Sequence, residues 1–224
     1  MTGASRGLGR ALAEGFAQEG ARLVVTATAV SRVEGTLARL SRHGADAHGT
    51  ALDLADPASV ENAAAEALAV LGRVDVLVNN ASLLGPKVPL AEYPVDEWRE
   101  VMEVNLTGTF ALTRALLPGV ADEGAILNVT SGAAGRAGWG AYAVSKLALE
   151  GLTAMLREEL AERRIRCVAV NPGRVRTDMR AAAYPEEDPG TVPHPSAVVE
   201  AFLAIAAGAD PGPRVDAAQW SGAE

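Results

Sequence analysis

The stretch Met1-Thr-Gly-Ala-Ser-Arg-Gly-Leu-Gly9 leads directly into a helical pattern over Arg10–Glu19. Its three glycines permit a tight turn and let an anion approach the first free amides of the helix. After the helix, the Val- and Leu-rich segment Ala21–Ala27 predicts a buried parallel strand. A helix that begins with glycines is common, but with this strand behind it the stretch predicts a phosphate-binding turn in an α/β fold.

Helices and strands continue to alternate along the chain. The apolar patterns predict helices at 31–42, 57–71, 95–116, around Tyr142 and at 196–207, with strands ending at 51–54 and covering 74–81, 125–130, 165–171 and 214–218. Strands separated by helices of this length form parallel βαβ units, so we expect one domain, residues 1–224, with a doubly wound parallel sheet. The segment 172–195 contains five prolines. We expect it to be a substrate loop over the carboxyl ends of the strands.

Composition limits the partners and the compartment. The chain has 224 residues, is 49% hydrophobic and carries a formal charge of −8, which argues against nucleic acid or an anionic membrane as the main partner. The longest apolar stretch is too short to span a membrane. A single cysteine, Cys167, excludes an intrachain disulfide, so we expect a cytoplasmic protein with this residue in its core. His43, His48 and His194 lack partners at ligand spacing, and we expect no catalytic metal.

Tyr142 and Lys146 are the strongest candidates for catalysis. They lie four residues apart in Gly140-Ala-Tyr-Ala-Val-Ser-Lys146, so on a helix both side chains project from one face. A neighbouring cation favours the phenolate and makes the phenol a usable proton donor and acceptor. A surface lysine near a half-buried tyrosine is the alternative. Only two of the 20 basic residues are lysines, and keeping one here favours the catalytic interpretation.

Six ordered motifs resemble the short-chain dehydrogenase/reductase family essentially from end to end. They are Thr2-Gly3-x-x-x-Gly7-x-Gly9, Asn79-Asn80-Ala81, Asn105, Ser131, Tyr142-x-x-x-Lys146 and Asn171-Pro172-Gly173. The resemblance implies a Rossmann fold and an oxidoreductase that transfers a hydride between nicotinamide and a small or medium carbonyl or secondary alcohol. A catalytically silent dinucleotide-binding protein, with a regulatory or interaction role on the same fold, is the alternative.

The resemblance also implies a role for each catalytic residue. Tyr142 would protonate the carbonyl oxygen or deprotonate the alcohol. Lys146 would bind the nicotinamide ribose and lower the pKa of Tyr142. Ser131 would hydrogen-bond the substrate oxygen, and Asn105 would hold a water that relays protons to Lys146. The chain departs from the family at Ser82, where glycine is usual, and in a slightly short interval between Ser131 and Tyr142.

The cofactor implied by the resemblance is NADP(H). NAD-preferring relatives place an acid at the end of the second strand, where this chain has Ala27 and Thr28, and Arg6 would supply a countercharge for the 2′-phosphate. The cofactor-binding residues implied are Gly3, Ser5, Arg6, Gly7, Leu8 and Gly9 at the phosphates, Thr28, Asp53 and Leu54 at the adenosine, Asn79, Ala81, Tyr142 and Lys146 at the ribose, and Pro172, Gly173, Val175 and Thr177 at the carboxamide.

Two expectations concern partners. The resemblance implies a homodimer or homotetramer built from the helices around 95–116 and 140–163. Acyl carrier protein is acidic and is not expected to be a partner, because the segment Pro118–Gly124 is also acidic and Arg163 is the only plausible docking residue.

A last expectation concerns the start of the fold. Family members have a strand rich in Val, Ile and Ala directly before the Thr-Gly of the phosphate loop, at the centre of strand order 3-2-1-4-5-6. Here Thr2 follows Met1, so this strand is absent from the sequence. We expect a start assigned too late, and in a protein that begins at Met1 a gap between the strands at 21–27 and 74–81, with weakened cofactor binding.

Overall fold

The computed structural model describes residues 1–221, which form alternating helices and parallel strands. The helices are α1 (Gly7–Gln18), α2 (Glu34–Arg42), α3 (Pro57–Leu71), α4 (Val95–Met102), α5 (Gly108–Leu116), α6 (Gly140–Glu159), α7 (Asp178–Ala183) and α8 (Val199–Ala206). The strands are β1 (Leu23–Ala27), β2 (Ala47–Ala51), β3 (Val74–Asn79), β4 (Val120–Val129), β5 (Arg166–Asn171) and β6 (Arg214–Asp216).

The strands form two parallel sheets, which together give the expected doubly wound arrangement. One sheet pairs β1 with β2, and the other has the order β3-β4-β5-β6. The expected gap lies between β1 and β3. The first two residues bridge it: the Met1 amine donates to the Val24 carbonyl (2.8 Å), and the Thr2 amide donates to the Val78 carbonyl (3.0 Å).

Helices cover both faces of the sheets because the strands bury apolar side chains on both sides. One cluster packs Phe16 of α1 and Phe202 of α8 against Leu127 of β4. The other packs Leu112 and Leu116 of α5 against the opposite face. Small residues such as Ala11, Ala13, Ala63 and Ala67 line these contacts. The chain therefore builds a close-packed core with few aromatic residues.

The helix expected over 95–116 is present as two α-helices joined without a break by a π-helical turn. Residues Glu103–Thr107 form a π-helical turn between α4 and α5. A π turn inserts one extra residue and is frequent at functional sites. Asn105 lies inside this turn and is 1% exposed.

The strand predicted to end at 51–54 ends at Ala51, within that range, because the Asp53 side chain accepts from the Ala55 amide and turns the backbone. The expectation for a later segment was wrong. The segment 172–195 was expected to be a loop but contains α7. Thr177 caps this helix by accepting from the Arg180 amide (3.1 Å), and the helix formers of Met179–Ala183 follow.

The expected burial of Cys167 is confirmed, with 0% exposure on β5. Burial raises the pKa of its thiol to about 12. Within residues 1–221, no helix combines the length and the apolar character that a membrane crossing requires.

Candidate active site

A cleft of about 360 Å³ lies at the carboxyl ends of the strands. It brings together most of the site residues predicted from the sequence: Gly3, Ser5, Arg6, Gly7, Leu8, Gly9, Thr28, Ala81, Ser131, Tyr142, Lys146, Pro172, Gly173, Val175 and Thr177. In open parallel sheets this edge is where ligands bind.

The glycine loop is held in place by Asn80, which follows β3. The Asn80 side-chain amide donates to the carbonyls of Thr2 (3.0 Å) and Gly3 (3.1 Å). Gly3 has φ +64°, a left-handed conformation that favours glycine. At Gly9 a Cβ would overlap the Gly3 carbonyl oxygen and come within 2.6 Å of the Asn80 side-chain nitrogen. The loop therefore requires glycine at these positions for its own packing.

Helix α1 points its amino terminus at the cleft. No side chain caps this end, since its N-cap residue is Arg6, and the first turn holds no acid. Gly7 (φ +55°) lies at the turn, where a Cβ would come within 3.2 Å of Thr177. Free amides and the helix dipole at such an end favour an anion. The cleft thus has the shape and donor set that a dinucleotide pyrophosphate requires.

Tyr142 and Lys146 extend from the first turns of α6 and are both buried, at 7% and 2% exposure. The Lys146 Nζ donates to the Val129 carbonyl at the end of β4 (2.8 Å) and lies 5.7 Å from the centroid of the Tyr142 ring. Burial lowers the pKa of Lys146 to about 8. The ammonium is therefore still mostly protonated at pH 7.

The expected lowering of the Tyr142 pKa is not found in this structure. Burial raises this pKa, and the hydroxyl of Ser131 offsets the rise only in part. The physical reason is geometric: Lys146 directs its ammonium to the Val129 carbonyl and lies beside the phenol ring. In this arrangement Tyr142 is a neutral phenol at pH 7, which is the form that donates a proton.

Ser131 follows β4 and lies at the cleft beside Tyr142. Its Oγ accepts from the Ala133 amide (3.1 Å). The neighbouring Thr130 also carries a hydroxyl, but this group donates to Glu150 (2.8 Å). Ser131 is accordingly the hydroxyl that remains for a ligand near Tyr142.

The Asn105 side chain hydrogen-bonds the backbone of Leu83, which lies in one wall of the cleft. Its Oδ1 accepts from the Leu83 amide (2.7 Å), while its Nδ2 donates to the Leu83 carbonyl (2.8 Å) and to Ser145 Oγ (3.1 Å). Ser145 lies between Tyr142 and Lys146 on α6. Asn105 therefore connects the π turn, the wall and the catalytic helix.

Comparison with known proteins agrees with this geometry. A family model described as short chain dehydrogenase matches residues 1–188. The chain belongs to the short-chain dehydrogenase family. It is 39% identical to the Escherichia coli K12 protein named uncharacterized oxidoreductase YciK over 215 residues, covering 91% of this chain and 83% of the relative. It is 37% identical to a 3-oxoacyl-[acyl-carrier-protein] reductase of Vibrio cholerae, covering 86% and 79%.

The similarity is also found in a solved structure. A short chain dehydrogenase from Shigella flexneri 2a, complexed with NADP, superposes with a TM-score of 0.90 at 33% identity. The alignment covers 96% of this chain and 94% of that one. The Rossmann fold and the oxidoreductase class of this dehydrogenase follow from these comparisons.

Four residues predicted for the site lie outside the cleft of the dehydrogenase: Asp53, Leu54, Asn79 and Asn105. Leu54 is buried, and its neighbour Leu52 lines the cleft instead. Asn79 lies below the cleft, where its Nδ2 donates to Asn128 (2.8 Å) and Thr113 (3.0 Å). Asn79 thus links side chains of β4 and α5, whereas Asn105 holds the backbone of Leu83.

Sequence reasoning missed an aromatic wall of the cleft. The rings of Trp139 and Tyr184 have centroids 5.6 Å apart, and Trp139 also lies 6.0 Å from Tyr142. The Lys87 Nζ lies over Trp139 (4.4 Å) and Tyr184 (4.6 Å) and donates to the Ala183 carbonyl. These contacts attach α7 to the cleft. Aromatic residues make up only 4% of the chain, and this scarcity could have drawn attention to Trp139 and Tyr184.

Arg32 was also missed, although both it and Thr28 line the cleft. It follows β1 in a short 3₁₀ turn and forms no salt bridge with any of residues 1–221. The other cation expected there, Arg6, is paired with Asp178 (2.9 Å) across the exposed surface.

Proposed function

We propose that the protein is an NADP(H)-dependent oxidoreductase acting on a small or medium carbonyl or the corresponding secondary alcohol. The observation that carries this proposal is the meeting of Ser131, Tyr142 and Lys146 in one cleft with an uncapped helix end and a glycine loop. When bound, the nicotinamide supplies or accepts the hydride, and the protein contributes positioning and proton transfer.

In the direction of reduction, Tyr142 donates its proton to the carbonyl oxygen. Ser131 binds the same oxygen and keeps it within reach of the phenol. Lys146 remains a cation at pH 7 although burial lowers its pKa to about 8. Its ammonium would stabilise the developing phenolate if it turned from the Val129 carbonyl toward the phenol oxygen of Tyr142. Oxidation of the alcohol reverses the proton transfer.

Replacing the phenol tests the proposal and separates it from the catalytically silent alternative. Tyr142→Phe removes the proton donor while keeping the ring against Trp139. We expect turnover to fall by roughly 100- to 10,000-fold, the usual contribution of general acid catalysis. NADPH affinity, measured by fluorescence titration, should stay within about twofold because the helix end and the glycine loop are untouched. Wild-type turnover in the variant would refute the assignment of the acid.

The preference for NADP(H) over NAD(H) is supported by charge around the adenosine end of the cleft. Ala27 and Thr28 place no carboxylate there to repel a 2′-phosphate. Arg32 lies at the cleft without an acidic partner within the described residues, whereas Arg6 is paired with Asp178. Arg32 is therefore a better candidate than Arg6 for the countercharge.

The two arginines provide a matched test. Arg32→Ala should weaken NADPH binding by about tenfold or more and leave NADH binding nearly unchanged, as expected for loss of one charge-assisted contact. Arg6→Ala should have the smaller effect. Equal losses for NADPH and NADH in the Arg32 variant would contradict this assignment.

Free carbonyl compounds suit this protein better than carrier-bound substrates. Arg163 was the one docking cation expected from the sequence. Its Nε donates to Asp122 (2.8 Å), and its Nη atoms donate to the carbonyls of Leu117 and Val120. This arginine is engaged within the chain, so it adds little positive charge to attract an acidic carrier. A far higher rate on carrier-bound than on free thioester substrate would overturn this view.

A homo-oligomer is supported by exposed apolar side chains on α5 and α6. Phe110 is 44% exposed, Leu147 53% and Met155 62%. Contact with a second copy would remove these side chains from water. Light scattering at micromolar concentration should give a mass of a dimer or larger, and a monomer mass would contradict the expectation.

A further inference from the structure

An apolar surface borders Tyr142 at the point where a carbonyl oxygen would accept its proton. The Tyr142 ring packs in one cluster with five residues that also line the cleft, and we call these five the α7 wall: Leu84, Trp139, Met179, Ala183 and Tyr184. A carbonyl whose oxygen lies at Ser131 and Tyr142 places its substituents beside this wall. The chemistry of the α7 wall therefore decides which carbonyl compounds fit.

One charged side chain, Arg180, interrupts the α7 wall. It lines the cleft from the same helix as Met179 and Ala183, and its Cζ lies 3.7 Å from the centroid of the Tyr184 ring. Its side chain is 21% exposed. The planar fork of a guanidinium matches a carboxylate, so a free arginine at this position would select a substrate that carries one.

Glu187 occupies this fork from within the chain. The Arg180 Nε donates to Glu187 Oε2 (2.6 Å), and its Nη2 donates to Glu187 Oε1 (2.7 Å). These bonds lower the pKa of Glu187, so its carboxylate is ionised at pH 7. Arg174 also contacts Glu187 (3.1 Å), but it is 56% exposed and water screens its charge. The charge of Arg180 is thus matched before a ligand enters.

The other charged residues of the cleft do not face a substrate carboxylate with a free cation near the α7 wall. Within residues 1–221 they are Arg6, Arg32, Lys146 and Asp178. Arg6 and Asp178 pair with each other (2.9 Å), and Lys146 donates to a backbone carbonyl. Arg32 follows β1 and is the candidate for the cofactor 2′-phosphate.

We propose that the substrate is an uncharged carbonyl compound with an apolar substituent, and that Glu187 sets this specificity by neutralising Arg180. The inference rests on the proposed oxidoreductase function of the same cleft. A substrate carboxylate would leave water and meet an apolar wall and a guanidinium whose fork is already filled, which buries a charge without a matched partner. Glu187 acts through Arg180 and does not touch the substrate.

The test compares benzylacetone with its para-carboxylate, which differ only in the charged group. We expect kcat/KM for reduction by NADPH to be about 100-fold or more higher for benzylacetone, because its binding strands no charge. Glu187→Gln keeps the size of the side chain and removes the carboxylate that fills the fork. This variant should lower the ratio of the two kcat/KM values by about tenfold or more. Adding Arg180→Met should restore the wild-type ratio.

Glu186→Gln is the matched control. It makes the same charge change at the neighbouring residue, which is exposed and has no salt bridge within the described part of the chain. Its ratio should stay within about twofold of the wild type. An equal shift in this control would show a general effect of net charge and overturn the role of Glu187, as would an unchanged ratio in Glu187→Gln. Equal use of both compounds by the wild type would overturn the substrate class.

Quenching of tryptophan fluorescence gives a readout that needs no turnover, since Trp139 belongs to the α7 wall. Benzylacetone should quench it saturably, with an affinity about 100-fold above that of the carboxylate. This preference without any oxidation of NADPH would refute the proposed function and support the inference about ligand class. Failure of both compounds to bind would overturn the inference.

Discussion

Replacing Lys146 by methionine should make the folded protein more stable at neutral pH while it abolishes activity. Burial lowers the pKa of this lysine from 10.5 to about 8. Each pKa unit corresponds to about 1.4 kcal/mol, so keeping the ammonium charged in the fold costs about 3 kcal/mol at pH 7. Methionine is unbranched and apolar, so it suits the same buried space.

The gain is reduced by the loss of one hydrogen bond. The Lys146 Nζ donates to the Val129 carbonyl at 2.8 Å, and leaving that carbonyl unpaired costs about 1 kcal/mol. We therefore expect the free energy of unfolding of Lys146→Met to exceed that of the wild type by about 2 kcal/mol at pH 7.

The difference in free energy of unfolding between Lys146→Met and the wild type should change sign as the pH rises. Between pH 8 and 10.5 the unfolded wild-type chain binds a proton at Lys146 that the folded chain has released, so wild-type stability rises with pH. The methionine variant lacks this contribution. Its advantage should shrink through this window and turn into a deficit of about 1 kcal/mol at the upper end.

Urea denaturation at pH 7, 9 and 10, followed by tryptophan fluorescence, measures these differences. Lys87→Met controls for the removal of a lysine, but it also loses the contacts with Trp139 and Tyr184, so the comparison uses the change in stability with pH and not its absolute value. A Lys146→Met protein less stable than wild type at pH 7, or a difference that stays constant with pH, would refute the reasoning from burial.

Three further substitutions follow from the packing. Gly9→Ala should weaken NADPH binding by tenfold or more, because the added methyl group would displace the Gly3 carbonyl. Gly151→Ala is the control: the space around Gly151 is open, and alanine there should add about 0.5–1 kcal/mol to the free energy of unfolding. Asn128→Ala should cost about 3 kcal/mol in urea denaturation, since Asn79 and Thr153 each lose a buried hydrogen bond to it. Asn105→Ala should raise KM by a larger factor than it lowers kcat, because it releases the backbone of Leu83 in the wall of the cleft. Equal effects on KM and kcat would contradict a positioning role for Asn105.

Alternation of apolar segments was enough to predict the α/β class, the parallel strands and most of their positions. The expected gap beside β1 is present among the described residues, where β1 pairs with β2 and not with β3. The π turn at Glu103–Thr107 was not predictable. Its residues continue a helical pattern, and the extra residue is stabilised by bonds from Asn105 to Leu83, which lies 22 positions away.

At the site, residues of local motifs were predictable and residues delivered by tertiary packing were not. Gly3 and Tyr142 belong to short patterns with a local physical reason. Tyr184 and Arg32 come from segments whose position depends on contacts elsewhere, such as Lys87 lying over the Tyr184 ring. The direction of the Tyr142 pKa shift was missed for the same reason, since sequence spacing does not tell whether Lys146 points to the phenol or to the Val129 carbonyl.

The residues that line the cleft come from both sheets. Thr28 and Arg32 belong to the half that carries β1 and β2, and Ser131 and Tyr142 belong to the half that carries β3 to β6. A dinucleotide lying along the cleft would contact both parts, which are also joined by Met1 and Thr2 and by a shared core that includes Val25 and Leu127. At 100 times its Kd such a ligand adds about 2.7 kcal/mol to stability, and here that increment would oppose separation of the two halves.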